Sequence, residues 1–347
     1  MSLTALLAAA ALQAGPGIDI ENFVGEVRIV DGTSLSARVV RAGAGDAPGT
    51  TLDTTLDGEV LRIDGGVRIR DWRCRSRWGG ELRVGPRRGE LRPMEDYPLL
   101  EITAPAGTDL AVSDSIVYGE AGDVGAVNLS LSSCGDFEIA SVAQDAVVTV
   151  SGSGDVGLGA VTGVVRLSIS GSGDVDFLSA GGLDARVSGS GDIEGGDVAG
   201  PVELNISGSG DVDLGDVERL ELNASGSAEV EIGDAPGGVR VGISGSGELD
   251  FGTAGGFSAG ISGSGDISGD RVDGAFAASV SGSGDIRIND GRADPFEASA
   301  GGSGEIRFGG TAVNPRVRIN GGSVRLGAVE GEVDVNRSGA DDLRIGG

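Results

Sequence analysis

From about residue 126 to the end of the chain, apolar positions alternate with polar or small ones in short runs, and the same run returns at a nearly constant interval. Alignment on the acid of the recurring SGSGD motif gives Asp136, Asp155, Asp174, Asp192, Asp211, Glu229, Glu248, Asp266, Asp285 and Glu305, in steps of 18 to 20 residues. Ser323 and Asp342 extend the series, making twelve units. After each acid come two apolar positions two apart, such as Val156/Leu158, Val175/Phe177 and Ile286/Ile288. A single aliphatic residue follows (Val161, Val198, Val217), then a run of three, such as Val165/Leu167/Ile169 or Val202/Leu204/Ile206. A period of two is that of strands with one buried face.

A unit this short cannot bury its own apolar stripe, but a stack of like units can, each strand pairing with its counterpart one unit on at about 4.8 Å. The pattern therefore predicts an all-β fold, a single parallel β-solenoid with right-handed crossovers as the default, and a rod of roughly 58 Å over twelve coils. Phe257, Phe276 and Phe296 fall in one inward column and should stack. The glycines of SGSGD are expected to permit a tight turn at each corner.

Residues 15–110 keep strand-like alternation in VGEVRIV (24–30), LSARVV (35–40), EVLRI (59–63) and LLEI (99–102), but lack the motif. They are expected to form irregular first coils and a cap, with the regular solenoid over 111–347. The opening LTALLAAAAL (3–12) followed by QAGPG reads as a short secretory leader over 1–14, cleaved after Ala14, although it lacks a charged start. No later run reaches the ~20 apolar residues of a membrane helix.

Composition narrows the function classes. Glycine numbers 66 with no three-residue period, which excludes collagen. The net charge is −27, so nucleic acid is not an expected partner. There is no histidine, and all basic residues are arginine. A Ser-His-Asp triad, a histidine zinc site and a lysine Schiff base are therefore absent. GSGDVG at 152–157 matches a dinucleotide fingerprint literally, but no helix pattern follows it and the next copies break it. Carboxylate-only polysaccharide chemistry would need long loops building a cleft, and the connections here are short. No enzymatic activity is expected.

Strand alternation places the motif acid and the residue two further on outward. Five successive coils then carry Asp174/Asp176, Asp192/Glu194, Asp211/Asp213, Glu229/Glu231 and Glu248/Asp250 along one edge. Neighbouring charges at ~4.8 Å repel by roughly 0.9 kcal/mol even in bulk water. Splayed side chains, hydrogen bonds to turn amides or a cation must relieve this. The bland reading is a solvated acidic face that blocks edge-to-edge association. The alternative is weak divalent-cation binding, with calcium as the candidate, although the two-copies-per-coil motif of calcium β-rolls is not reproduced. Farther on the second column becomes Arg287, Arg307, Arg325 and Arg344, so Asp285/Arg287 and Glu305/Arg307 can neutralise each other. Cys74 and Cys134 can form one disulfide in an oxidising compartment or remain a packed thiol pair. Residues 62–92 hold ten of the 26 arginines, and RDWRCRSRW (70–78) could hold an anionic glycan or merely pack as a cap. Four sequons, at Asn128, Asn205, Asn223 and Asn336, read as by-products of the repeat.

The SGSGDV/SGSGDI units, the near-19-residue period and the lead-in LEITAPAGTDL (100–110) together resemble the auto-transporter adhesin head GIN domain family of bacterial repetitive β-proteins. The resemblance spans about residues 18–347. It implies a secreted or envelope-associated β-helix and carries over no catalytic residue. The sequence ends on a repeat strand, LRIGG, so a C-terminal membrane barrel is not expected. The expectation is thus an exported structural, adhesin-like or interaction module that is periplasmic, cell-surface or secreted. Its partner would be an envelope protein or a glycan. A cation- or glycan-binding module is the alternative, and a polysaccharide-active enzyme a distant third.

Overall fold

The computed structural model describes residues 16–45, 47, 52–76, 82–338 and 342–346. The leader expected over 1–14 lies outside the described residues, as do Arg77 and Trp78 of RDWRCRSRW. No helix among the described residues is long and apolar enough to cross a membrane.

Coils stack in parallel and in the register that the period predicts. Asp136 pairs with Asp155, Glu229 with Glu248, Glu248 with Asp266, Glu305 with Ser323, and Ser323 with Asp342. One continuous core runs from Ile18 to Leu326, filled by the inward columns. In it Phe276 lies between Phe257 and Phe296, with ring centroids at 5.2 and 4.6 Å. Phe251 and Phe308 extend this aromatic core, the first stacked on Phe257 and the second tilted against both Phe276 and Phe296.

Most corner glycines serve a different purpose from the one expected. Gly208 does not have a positive φ. Instead, a Cβ there would lie 1.8 Å from the carbonyl oxygen of Gly189 in the adjacent coil. Stacking like corners at strand spacing leaves no room for a side chain, so close approach selects glycine at Gly208, whereas Gly302, Gly321 and Gly322 at the last corners also take the positive φ that the turn reading expects.

The N-terminal region completes the stack in an order that differs from chain order. Its strands are β1 (Gly17–Glu21), β2 (Val24–Asp31), β3 (Ser36–Arg41), β4 (Asp53–Asp57), β5 (Val60–Asp64), β6 (Trp72–Ser76), β7 (Leu82–Pro86), β8 (Arg92–Pro93), β9 (Leu99–Ala104) and the long bent β10 (Thr108–Leu131). β1 lies between β5 and β10, and β2 between β9 and β10, all parallel. The outermost parallel strands, β5 and β9, are then covered by antiparallel β4 and β3. Antiparallel cover terminates a parallel stack because it breaks the repeating register that another coil could join.

β6, β7 and β8 form a separate antiparallel sheet. Its inner face packs Trp72 and Val84 with Met94 and Tyr97 against Val24, Ile116 and Cys134 of the solenoid. The Tyr97 hydroxyl donates to the Val84 carbonyl at 2.9 Å, and burial pushes its pKa up to about 12. A disulfide joins Cys74 on β6 to Cys134 at the first SGSGD-type corner.

Candidate functional site: the carboxylate ladders

The acidic edge is assembled as a geometrical ladder. Asp174, Asp176, Asp192, Glu194, Asp211, Asp213, Glu229, Glu231 and Glu248 are exposed, and Asp250 is half-buried. The second column runs in register through Asp176, Glu194, Asp213, Glu231 and Asp250. Of the three ways to relieve repulsion, the first column uses amide hydrogen bonds. Asp155 Oδ1 accepts the N–H of Asp174 at 3.2 Å, Asp174 that of Asp192 at 2.9 Å, Asp192 that of Asp211 at 2.9 Å, and Asp211 that of Glu229 at 3.2 Å. Each carboxylate thus stabilises the start of the following coil, and a charge-assisted bond of this kind is stronger than a neutral one.

The longer glutamates interrupt the chain of bonds. The N–H of Glu248 donates to the Ala228 carbonyl instead. The Glu248 carboxyl is pushed above its usual range by burial and then by Asp250, Glu229 and Asp266. The aspartate pattern resumes where Asp266 accepts from Asp285 and Asp285 from Glu305, both at 2.8 Å. At the opposite end, burial followed by neighbouring carboxylates raises Asp136 and Glu138 as well.

The basic part of the second column is wired differently from the within-coil pairing expected. Arg287 does pair with Asp285, and Arg344 with Asp342. Glu305, however, pairs with Arg325 of the next coil at 2.9 Å rather than with Arg307. Arg307 and Arg325 are in register, so an arginine reaching diagonally back spans one strand spacing.

A second ladder occupies another corner and was not singled out from the sequence. Asp197 Oδ1 accepts from the N–H of Asp216 at 3.0 Å, Asp216 from Asp234 at 2.8 Å, and Asp234 from Thr253 at 2.6 Å. Asp145 makes the same bond to Val164 and also binds Arg166, whose side-chain hydrogen bond is the main cause of its lowered pKa. The signal was present as Gly-Asp pairs at 196–197, 215–216 and 233–234, one per coil. This corner borders a shallow trough of about 850 Å³. Another, of about 750 Å³, follows the outward Asn205, Asn223, Gly242 and Gly260.

Chemically, these ladders are structural acceptors first. No group of three or more metal-ligating side chains converges among the described residues. The outward surfaces are long, regular and polar, and the troughs follow the repeat instead of cutting across it.

The family described as "Putative auto-transporter adhesin, head GIN domain" matches twice, over residues 100–196 and 197–290. The chain belongs to this family. No curated protein and no solved structure matches it. The two family matches meet between Gly196 and Asp197, next to the first bond of the second ladder, so the two tandem copies form one continuous stack rather than two separate bodies.

Proposed function

We propose that this head GIN domain chain is an exported, non-catalytic β-solenoid that acts as a structural or adhesin-like module at the bacterial cell envelope. The observation that carries this reading is the family match together with an uninterrupted stack whose outward columns repeat coil after coil. Such a surface offers many weak, regularly spaced contacts, and multivalent contact gives avidity without a deep pocket. Cells carrying the chain should adhere or aggregate more than cells lacking it; identical behaviour of the two strains would count against the adhesive part.

A second reading is weak divalent-cation binding along Asp174–Asp250. It is favoured by the raised Glu248 carboxyl among three like charges, a repulsion that a cation would relieve. Millimolar calcium should then raise the melting temperature and a chelator reverse it; coincident melting curves would remove this reading.

A further inference from the structure

The solenoid is acidic, but one part of the molecule carries the opposite sign. Residues 68–92 contain nine arginines against three carboxylates, Asp71, Glu81 and Glu90, a local +6 within a chain of −27. This segment builds the small β6–β8 sheet, whose inner face carries Trp72, Cys74 and Val84. Alternation therefore sends Arg73, Arg75 and Arg83 to the outer face, where Arg75 lies directly opposite Arg83. Arg87 and Arg88 sit in the β7–β8 turn. That turn is tied to this face by the Arg73 guanidinium donating to the Gly89 carbonyl, and the Arg87 N–H donating to Asp71 O brings Arg70 alongside. Arg70, Arg73, Arg75, Arg87 and Arg88 are exposed, and among the described residues none of the five has a carboxylate partner.

We propose that this outer face is a further contact, distinct from the repeating columns of the solenoid, and that it takes a polyanionic glycan, a polymer bearing sulfate, phosphate or carboxylate groups along its length. This inference rests on the adhesin-like reading above. Three physical features support it. The guanidinium fork matches oxyanions bidentately, and this chain uses no lysine anywhere. The local +6 stands within a chain of −27, so a polyanion is drawn to this segment and repelled by the rest of the surface. The face is also held in place, through the Cys74–Cys134 disulfide and the Trp72–Tyr97 core, so little ordering is required on binding.

A glycan is favoured over a lipid surface because membrane-seeking faces combine cations with exposed large apolar side chains. Among the described residues the exposed large hydrophobics are Val39, Val40, Leu56, Leu178 and Ile345, and none of them lies on this sheet.

The full chain should bind immobilised dextran sulfate, but not neutral dextran, with affinity that falls as salt rises. The triple variant Arg73→Gln/Arg75→Gln/Arg88→Gln should bind at least tenfold more weakly while keeping its melting temperature. The charge-matched Arg240→Gln/Arg307→Gln/Arg318→Gln control should bind like the parent. Equal binding by both variants, no binding by the parent, or preference for anionic phospholipid vesicles over dextran sulfate would overturn the proposal. An envelope-located chain that ignores polyanions would reject this inference alone, whereas a cytoplasmic chain would reject the export reading beneath it.

Discussion

The carboxylate of Asp192 accepts the backbone N–H of Asp211 at 2.9 Å, across the boundary between two coils. The acidic edge is therefore part of what holds the coils in register, as well as a charged surface. The two contributions can be separated by substitution. Asp192→Asn keeps an acceptor oxygen and removes a charge, so stability should stay within about 0.5 kcal/mol of the parent. Asp192→Ala removes the acceptor and should cost about 1 kcal/mol. Urea unfolding checks both values, and equal losses would show that the amide bond contributes nothing.

The pH dependence follows from carboxyls shifted in opposite directions. Asp136, Glu138 and Glu248 are raised in the folded chain, so the folded state takes up their protons first. Their contribution to stability therefore rises as pH falls from neutrality toward the ordinary carboxylate range. Asp145, Asp273 and Glu330 are lowered, chiefly by side-chain hydrogen bonds from arginine, and their contribution is lost as pH falls below that range. The melting temperature should thus peak at mildly acidic pH, and added salt at neutral pH should raise it by screening. A monotonic fall from pH 7 downward would contradict this assignment.

Close stacking at the corners is equally testable. Gly208→Ala places a methyl carbon against the Gly189 carbonyl, a backbone group that cannot rotate away. We expect a loss of about 3 kcal/mol, with amide exchange rising first in the coils flanking 189 and 208. Unchanged exchange there would mean that the corners have room for a methyl group.

Reduction of the Cys74–Cys134 bond opens a loop of sequence separation 60, which chain entropy values at about 4 kcal/mol. The solenoid core is largely separate from the cluster around Trp72 and Tyr97. Limited proteolysis of reduced protein should therefore cut first within 62–98, with the far-ultraviolet signal of the solenoid retained. Simultaneous loss of both would show one cooperative unit.

The regular stack was legible in the sequence because its signal is repeated. Every copy from Asp136 to Glu305 reports the same register, and the Phe257–Phe276–Phe296 column follows directly from it. The N-terminal order was not legible. A period shows that like strands pair, but nothing in VGEVRIV or LLEI indicates that β2 lies between β9 and β10. The RDWRCRSRW stretch indicates a cap or an anionic-glycan site but not a separate β6–β8 sheet, because its arginines obscure the alternation that Trp72, Cys74 and Val84 retain on the inner face. The acid positions of the edge were also legible, whereas their hydrogen bonds were not. Whether Asp192 splays into water or reaches the next amide depends on the corner backbone, which alternation does not specify.

Whether this chain works outside the cytoplasm as an envelope module is decided by fractionating cells that express it with a C-terminal tag. The tagged chain should appear in the periplasmic, surface or medium fractions, with Cys74 and Cys134 oxidised. A product confined to the cytoplasm with both thiols free would contradict that placement.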